Sequence, residues 1–259
     1  MAQAVTSVVR LAPEWEQPES RVFCSRLEAI SRQVCRETVI HTGRNLIFRH
    51  RVGDREVAVK RFPVDRGRRL LYRLRTSKAV RAFDHASRLL AVGIGTPRPL
   101  AAAETRRGAA LLASFYCSEF VTAFREARLL KRADAPDRAE LLELLGEFIG
   151  RLHESGVLHR DLTSGNVLLV PDDARPGGVA FQLVDLNRMR FGRVGVRAGL
   201  ANLAQLRLQG TGALLAGYCR ARDLVAAQVG PYYRFRSELR SVAQALKERT
   251  RPMRRRLGL

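Results

Sequence analysis

The stretch RAELLELLGEFIGRLHESGVLHRDLTSGNVLLV, residues 138–170, narrows the fold more than any other. Leu141, Leu144, Leu145, Phe148, Ile149 and Leu152 fall at i, i+3, i+4, i+7, i+8 and i+11, the stripe of a buried helix. Gly156 ends it, and a short polar loop then leads into the apolar run NVLLV. That run and VAFQLVD flank the turn-rich PDDARPGG, which predicts a hairpin. From about Val196 the text reads as helix again, with Val196, Leu200, Leu203 and Leu206 as its stripe. The second half of the chain is therefore expected to be mainly helical.

The first half reads differently. After a polar lead-in, SRVFCSRLEAISRQVC (20–35) predicts a short amphipathic helix. RNLIFRHR and REVAVKRF are strand-like and joined by Val52-Gly53-Asp54, a hairpin signal. PRPLAAAE and AALLASFYCSEF predict two more strands, with Arg106-Arg107-Gly108 between them. Between the pairs lies SKAVRAFDHASRLLAVG, a helix with Ser77 as N-cap, Gly93 as stop, and Val80, Phe83, Ala86 and Leu90 along one face. The expected organisation is a β-rich lobe with one main helix over residues 1–121 and a helical lobe over 122–259. The boundary falls near Glu119 to Thr122, with a cleft between the lobes.

Phosphoryl transfer needs a cation on the phosphates, oxygen ligands for Mg²⁺ and a group that orients the attacking hydroxyl. The chain offers each in order. VAVK ends in Lys60, which shares a strand face with Ala58; the small Ala58 leaves room for a flat base while the ammonium reaches phosphate. HRDLTSGN supplies Asp161 to orient a hydroxyl and Asn166 as a neutral metal ligand. QLVDLN supplies Asp185 as the charged metal ligand. A lysine in an alternating strand is usually a solvated lysine, whereas HRDLxxxN directly after a buried helix is far more restrictive. The set resembles the protein-kinase signature residues.

Lys60, HRDLTSGN and VDLNRMRFG together resemble the Kdo/WaaP lipopolysaccharide kinase family, as do IHTGRN (40–45) and residues 77–101. The similarity covers roughly residues 35 to 220. It implies a bilobal, protein-kinase-like α+β fold and an ATP- and Mg²⁺-dependent kinase whose acceptor is a sugar hydroxyl of the lipopolysaccharide core. Three departures stand out. The phosphate-covering loop is not GxGxxG, leaving Gly43 and Arg44 to meet phosphate. Asp84 is the one acid on the helix that should supply a partner for Lys60, and it is a methylene shorter than glutamate. No A-P-E follows Asp185, so a peptide-holding platform is not expected. Glu119, at the lobe boundary, completes the cofactor-side candidates.

The 46 Lys and Arg against 25 Asp and Glu give net +21, a field that favours phosphate-rich or acidic partners. Two basic runs stand out, RFPVDRGRRLLYRLRTSK (61–78) and the tail KERTRPMRRRLGL (247–259). Arg188, Arg190, Arg193 and Arg197 crowd the segment after Asp185, which favours an anionic sugar or glycolipid acceptor over a cationic one. The charge also suits a peripheral position on an anionic membrane, at the inner face of the cytoplasmic membrane. Few aromatics interleave the basic runs, so nucleic acid is not the expected partner. The N-terminal text lacks a secretory apolar core, and the four scattered cysteines suggest reduced, cytosolic thiols. Two other readings compete: an atypical bacterial protein kinase with a reduced activation segment, and a pseudokinase or anion-binding module. Against the latter, Lys60, Asp161, Asn166 and Asp185 are all present.

Overall fold

The computed structural model describes residues 4–208 and 212–256. The chain divides into two compact units, Met1–Thr122 with Asp185–Asn187, and Ala123–Val184 with Arg188–Leu259.

The first unit is built on an antiparallel six-stranded sheet. Its strands in chain order are β1 (Val5–Leu11), β2 (Val39–His41), β3 (Leu46–Val52), β4 (Arg55–Pro63), β5 (Pro99–Arg107) and β6 (Ala110–Glu119), arranged β1-β5-β6-β4-β3-β2. Gly53 and Gly108, at φ +60 and +54, turn the two central hairpins in a backbone region that a Cβ disfavours. The lead-in read as merely polar is the edge strand β1, whose Val8 and Leu11 pack against the core.

Period-two alternation gives the sheet two apolar faces. Val57, Val59, Phe115 and Cys117 pack beneath Phe23, Cys24 and Leu27 of α1 (Pro18–Arg32), with Trp15 beside them. Phe62, Ala102 and Tyr116 face the other way and meet Ala79, Val80 and Phe83 of α2 (Lys78–Ala91). A helix thus covers each face. Ser77 caps α2 by accepting from the Val80 amide at 3.3 Å. The buried stripe of α2 runs through Ala79, Val80, Ala82, Ala86 and Leu89, and Leu90, expected within it, is turned outward.

In the second unit β7 (Arg125–Glu126) pairs with β9 (Val167–Pro171), which pairs with β10 (Val179–Leu183). A separate two-stranded ladder joins β8 (Val157–His159) to β11 (Met189–Phe191). The helices are α3 (Arg138–Glu154), α4 (Val196–Leu203), α5 (Gly212–Ala221) and α6 (Ala226–Arg256). The side chains of the basic tail from Lys247 onward lie outside the described residues. Among the described residues no helix is long and apolar enough to cross a membrane.

α3 and α5 pack backbone against backbone. A Cβ on Gly146 would run into the Leu214 carbonyl, and one on Gly217 into the Glu143 carbonyl. Neither obstacle is a flexible side chain, so the helices must separate to admit a methyl group. Gly146→Ala is expected to cost about 1–3 kcal/mol of unfolding free energy in chemical denaturation, despite alanine's better helix propensity. An unchanged or raised denaturation midpoint would contradict this packing.

Candidate active site

In the first unit Lys60 leaves β4 on the same face as Ala58, and its side chain is only 15% exposed. An ammonium so enclosed needs a counter-charge. Nζ donates to Asp185 Oδ1 at 2.8 Å and lies 5.4 Å from the centre of the Phe62 ring. Asp185 itself has φ 57, the left-handed region, which aspartate tolerates better than most residues. Two side chains missed in the sequence complete this group. His85 on α2 uses Nδ1 to donate to the Leu186 carbonyl at 2.7 Å, and burial holds its pKa below the usual imidazole value. Asn187 Nδ2 approaches Asp185 Oδ1 at 3.4 Å, leaving its buried Oδ1 without a hydrogen-bond partner. His85 was legible only as the neighbour of Asp84, and Asn187 only as part of DLN.

The Lys60–Asp84 pair expected from the sequence does not form. Asp84 Oδ1 instead accepts from Arg10 Nε of β1 at 3.2 Å. Arg10 on the edge strand β1 holds Asp84, while Lys60 on β4 takes Asp185 as its counter-charge. Gly43 and Arg44 lie in the exposed turn between β2 and β3. The Lys78 ammonium has a lowered pKa, chiefly from burial and then from the positive charges of Arg44 and Arg81. The turn and the start of α2 therefore share a cationic surface. Glu119 ends β6 with its carboxylate 3.7 Å from Arg98 Nε.

In the second unit the HRDLTSGN loop follows β8. His159 is fully buried; its Nε2 donates to the Val184 carbonyl at 3.1 Å while Nδ1 accepts from the Asp161 amide at 3.2 Å. Asn166 Nδ2 donates to the Asp161 carbonyl at 2.8 Å. The loop thus locks its own backbone and leaves the Asp161 carboxylate, 43% exposed, with Arg188 NH1 3.7 Å from Oδ2. Arg190, Arg193 and Arg197 are exposed and make no ion pair among the described residues.

A buried network that no sequence signal announced supports this loop. Asn202 Nδ2 donates to the His159 carbonyl at 2.9 Å, and Asn202 Oδ1 lies 3.0 Å from His153 Nε2. His153 Nδ1 is 2.9 Å from the Tyr218 hydroxyl, which accepts from Arg222 NH1 at 2.9 Å. Every donor then meets an acceptor only if His153 is neutral and protonated on Nε2. Gly199 makes the space, since a Cβ there would strike the Tyr218 hydroxyl. Burial, reinforced by the Arg222 charge, lowers the His153 pKa to about 4.

The donor set suits Mg²⁺, which takes oxygen ligands and keeps sites for phosphate and water. Asp185 offers a carboxylate, and the orphaned Asn187 Oδ1 is an acceptor beside it. In the other unit the Asn166 amide nitrogen is committed to the Asp161 carbonyl, which leaves its oxygen as the group to offer a cation. No cluster of three or more His, Cys, Asp or Glu occurs among the described residues, so a zinc-type cage is not what these residues build.

The sequence profile of the lipopolysaccharide kinase (Kdo/WaaP) family matches residues 41–227. The chain belongs to this family. Membership implies a phosphotransferase that acts on a hydroxyl and uses ATP. Among solved structures the chain is similar to WaaP in complex with acyl carrier protein, with a TM-score of 0.59 and 20% identity over 89% of this chain and 97% of that one. The likeness establishes the kinase-like α+β fold. A curated relative from Methanothermobacter thermautotrophicus, a probable bifunctional tRNA threonylcarbamoyladenosine biosynthesis protein, is 35% identical over 105 residues. The match takes in 40% of this chain and spans 18% of that protein's length.

The neutral His153 makes a pH prediction. Its folded pKa of about 4 lies below the ordinary 6.5, so the unfolded chain binds the extra proton first. The contribution is intact above pH 6.5 and is lost as pH falls from there towards 4. Between pH 7 and pH 5 the wild type should lose about 2 kcal/mol more unfolding free energy than His153→Gln. Parallel pH curves for the two proteins would contradict the neutral assignment.

Proposed function

We propose that the protein transfers the γ-phosphate of ATP to a hydroxyl of an acidic sugar, on a lipopolysaccharide core or a similar anionic glycolipid. The observation that carries this reading is Arg188 at Asp161. A guanidinium 3.7 Å from the hydroxyl-orienting carboxylate, with both side chains open to solvent, suits an acceptor that carries its own carboxylate or phosphate. Such an acceptor takes the guanidinium and presents a neighbouring hydroxyl to Asp161.

Asp161 accepts the hydroxyl proton as the oxygen attacks phosphorus, and its backbone is held by His159 and Asn166. Lys60 is the cation for phosphate oxygens, Ala58 leaves space for the base, and Arg44 with Lys78 adds charge at the turn. Asp185 and Asn187 are the oxygen donors assigned to Mg²⁺ in the first unit, and Asn166 is the one that the second unit offers. When bound, the ion neutralises charge on the transferring phosphoryl group. Asp84 is withdrawn from this set, since Arg10 occupies it.

The protein-kinase alternative is disfavoured by the segment after Asp185. Only β11 and residues 192–195 separate Arg188 from α4, a short stretch on which to hold a peptide.

With labelled ATP and purified lipopolysaccharide, Asp161→Asn should lower kcat by about 10²-fold or more while ATP binding stays near wild type. Arg188→Ala should raise the acceptor KM by about tenfold, with a smaller salt dependence and an unchanged KM for ATP. Salt-insensitive labelling of a peptide library, with none entering glycolipid, would overturn the reading.

A further inference from the structure

Apart from Lys78, the basic run 61–78 takes no part in the chemistry above. Residues 66–75, RGRRLLYRLR, hold five arginines and no acid. They form two 3₁₀ turns, Arg66–Arg68 and Leu70–Arg73, between β4 and α2. This segment is fastened to the sheet. The Leu111 amide donates to the Arg69 carbonyl at 3.2 Å, and Arg106 NH2 donates to the Tyr72 carbonyl at 3.3 Å.

The pinned backbone turns large apolar side chains into solvent. Leu70 is 64% exposed, Leu71 51% and Leu74 96%. Single exposed leucines are ordinary, but three within five residues on an anchored loop form a patch. Arg66, Arg68, Arg73 and Arg75 flank it in the sequence, all exposed and none in an ion pair among the described residues. The lowered pKa of Lys78, at the start of the next helix, registers the same positive potential, since Arg68 is among its causes.

We propose that residues 66–75 dock the protein on an anionic lipid surface, with Leu70, Leu71 and Leu74 entering the headgroup region and the arginines contacting lipid phosphates. Charge complementarity selects the occupant. Unpaired arginines call for anions, and leucines without a partner call for acyl chains; a bilayer interface supplies both within one side-chain length. RNA would satisfy the arginines but not the leucines, since base stacking uses aromatic planes and Tyr72, the one aromatic here, is half-buried. The proposal does not rest on phosphotransfer, because docking needs neither nucleotide nor acceptor.

The test is co-sedimentation of the full chain with vesicles of phosphatidylcholine alone or mixed with phosphatidylglycerol. Binding is expected only to the mixed vesicles, weakening as salt rises. Joint replacement of Leu70, Leu71 and Leu74 by Ser should weaken it about tenfold or more, and so should joint replacement of Arg66, Arg68, Arg73 and Arg75 by Gln. Both variants alter exposed side chains, and an unchanged melting temperature shows that they fold. Failure of the wild type to bind mixed vesicles would overturn the proposal, as would a leucine variant that binds like wild type. RNA binding lost in the arginine variant, without vesicle binding, would assign the run to nucleic acid and overturn it too.

Discussion

A lysine ammonium enclosed on the face of a β-sheet is unstable without an anion beside it, and the contact between Lys60 and Asp185 answers that requirement. The sequence distance is 125 residues, so the requirement dictates where a remote piece of chain must come to rest. Three other features fit around it. The Asp185 backbone adopts a left-handed conformation, the Leu186 carbonyl is taken by His85, and Asn187 places its amide beside the same carboxylate. A conformation that costs of order 1 kcal/mol or more persists because neighbours on several sides define it. Ala123, Asp137, Arg207 and Asp223 share this backbone region, so it is the contacts of Asp185, and not its φ alone, that set it apart.

The HRDLTSGN loop is stabilised by a different means. Its support is neutral: His159 and Asn166 within the loop, then Asn202, His153 and Tyr218 behind it. A neutral network in a buried position avoids the desolvation of a charge, provided each donor finds an acceptor. The outermost member, Arg222, is charged, but Glu154 Oε1 lies 2.6 Å from its Nε and the Val194 carbonyl accepts from NH2 at 2.9 Å. The Arg222 side chain is only 8% exposed, so the Glu154 carboxylate is what offsets the desolvation of its charge. Family membership establishes phosphotransfer to a hydroxyl, and the anionic acceptor is a proposal that rests on Arg188 beside Asp161.

The sequence made the local features legible. α3 announced itself by a stripe six residues deep, the central hairpins by Gly53 and Gly108, and α2 by its Ser77 cap. HRDLTSGN and Lys60 could be read because spacing and strand alternation are local properties. What escaped depended on distant partners. β1, VTSVVRL, is apolar at four of seven positions, but Val8 and Val9 are adjacent and break a clean alternation; it is a strand because β5 offers it a ladder. Asp84 looked like the lysine's partner until the sheet order placed Arg10 closer. Asn202 and His153 sit 49 residues apart, and no periodicity links a buried amide to a buried imidazole across that interval. Helix and strand periods report which face is buried; they carry no information on which polar atoms meet inside.

In the proposed function Asp185 would hold Mg²⁺ and Lys60 would contact the phosphates of ATP. Calorimetric titration of ATP in the presence and absence of Mg²⁺ tests this directly on wild type and Asp185→Ala. Mg²⁺-dependent ATP binding is expected in the wild type, with loss in Asp185→Ala and an intermediate affinity with a raised Mg²⁺ requirement in Asn166→Ala. Unchanged Mg²⁺-dependent affinity in Asp185→Ala would contradict this assignment.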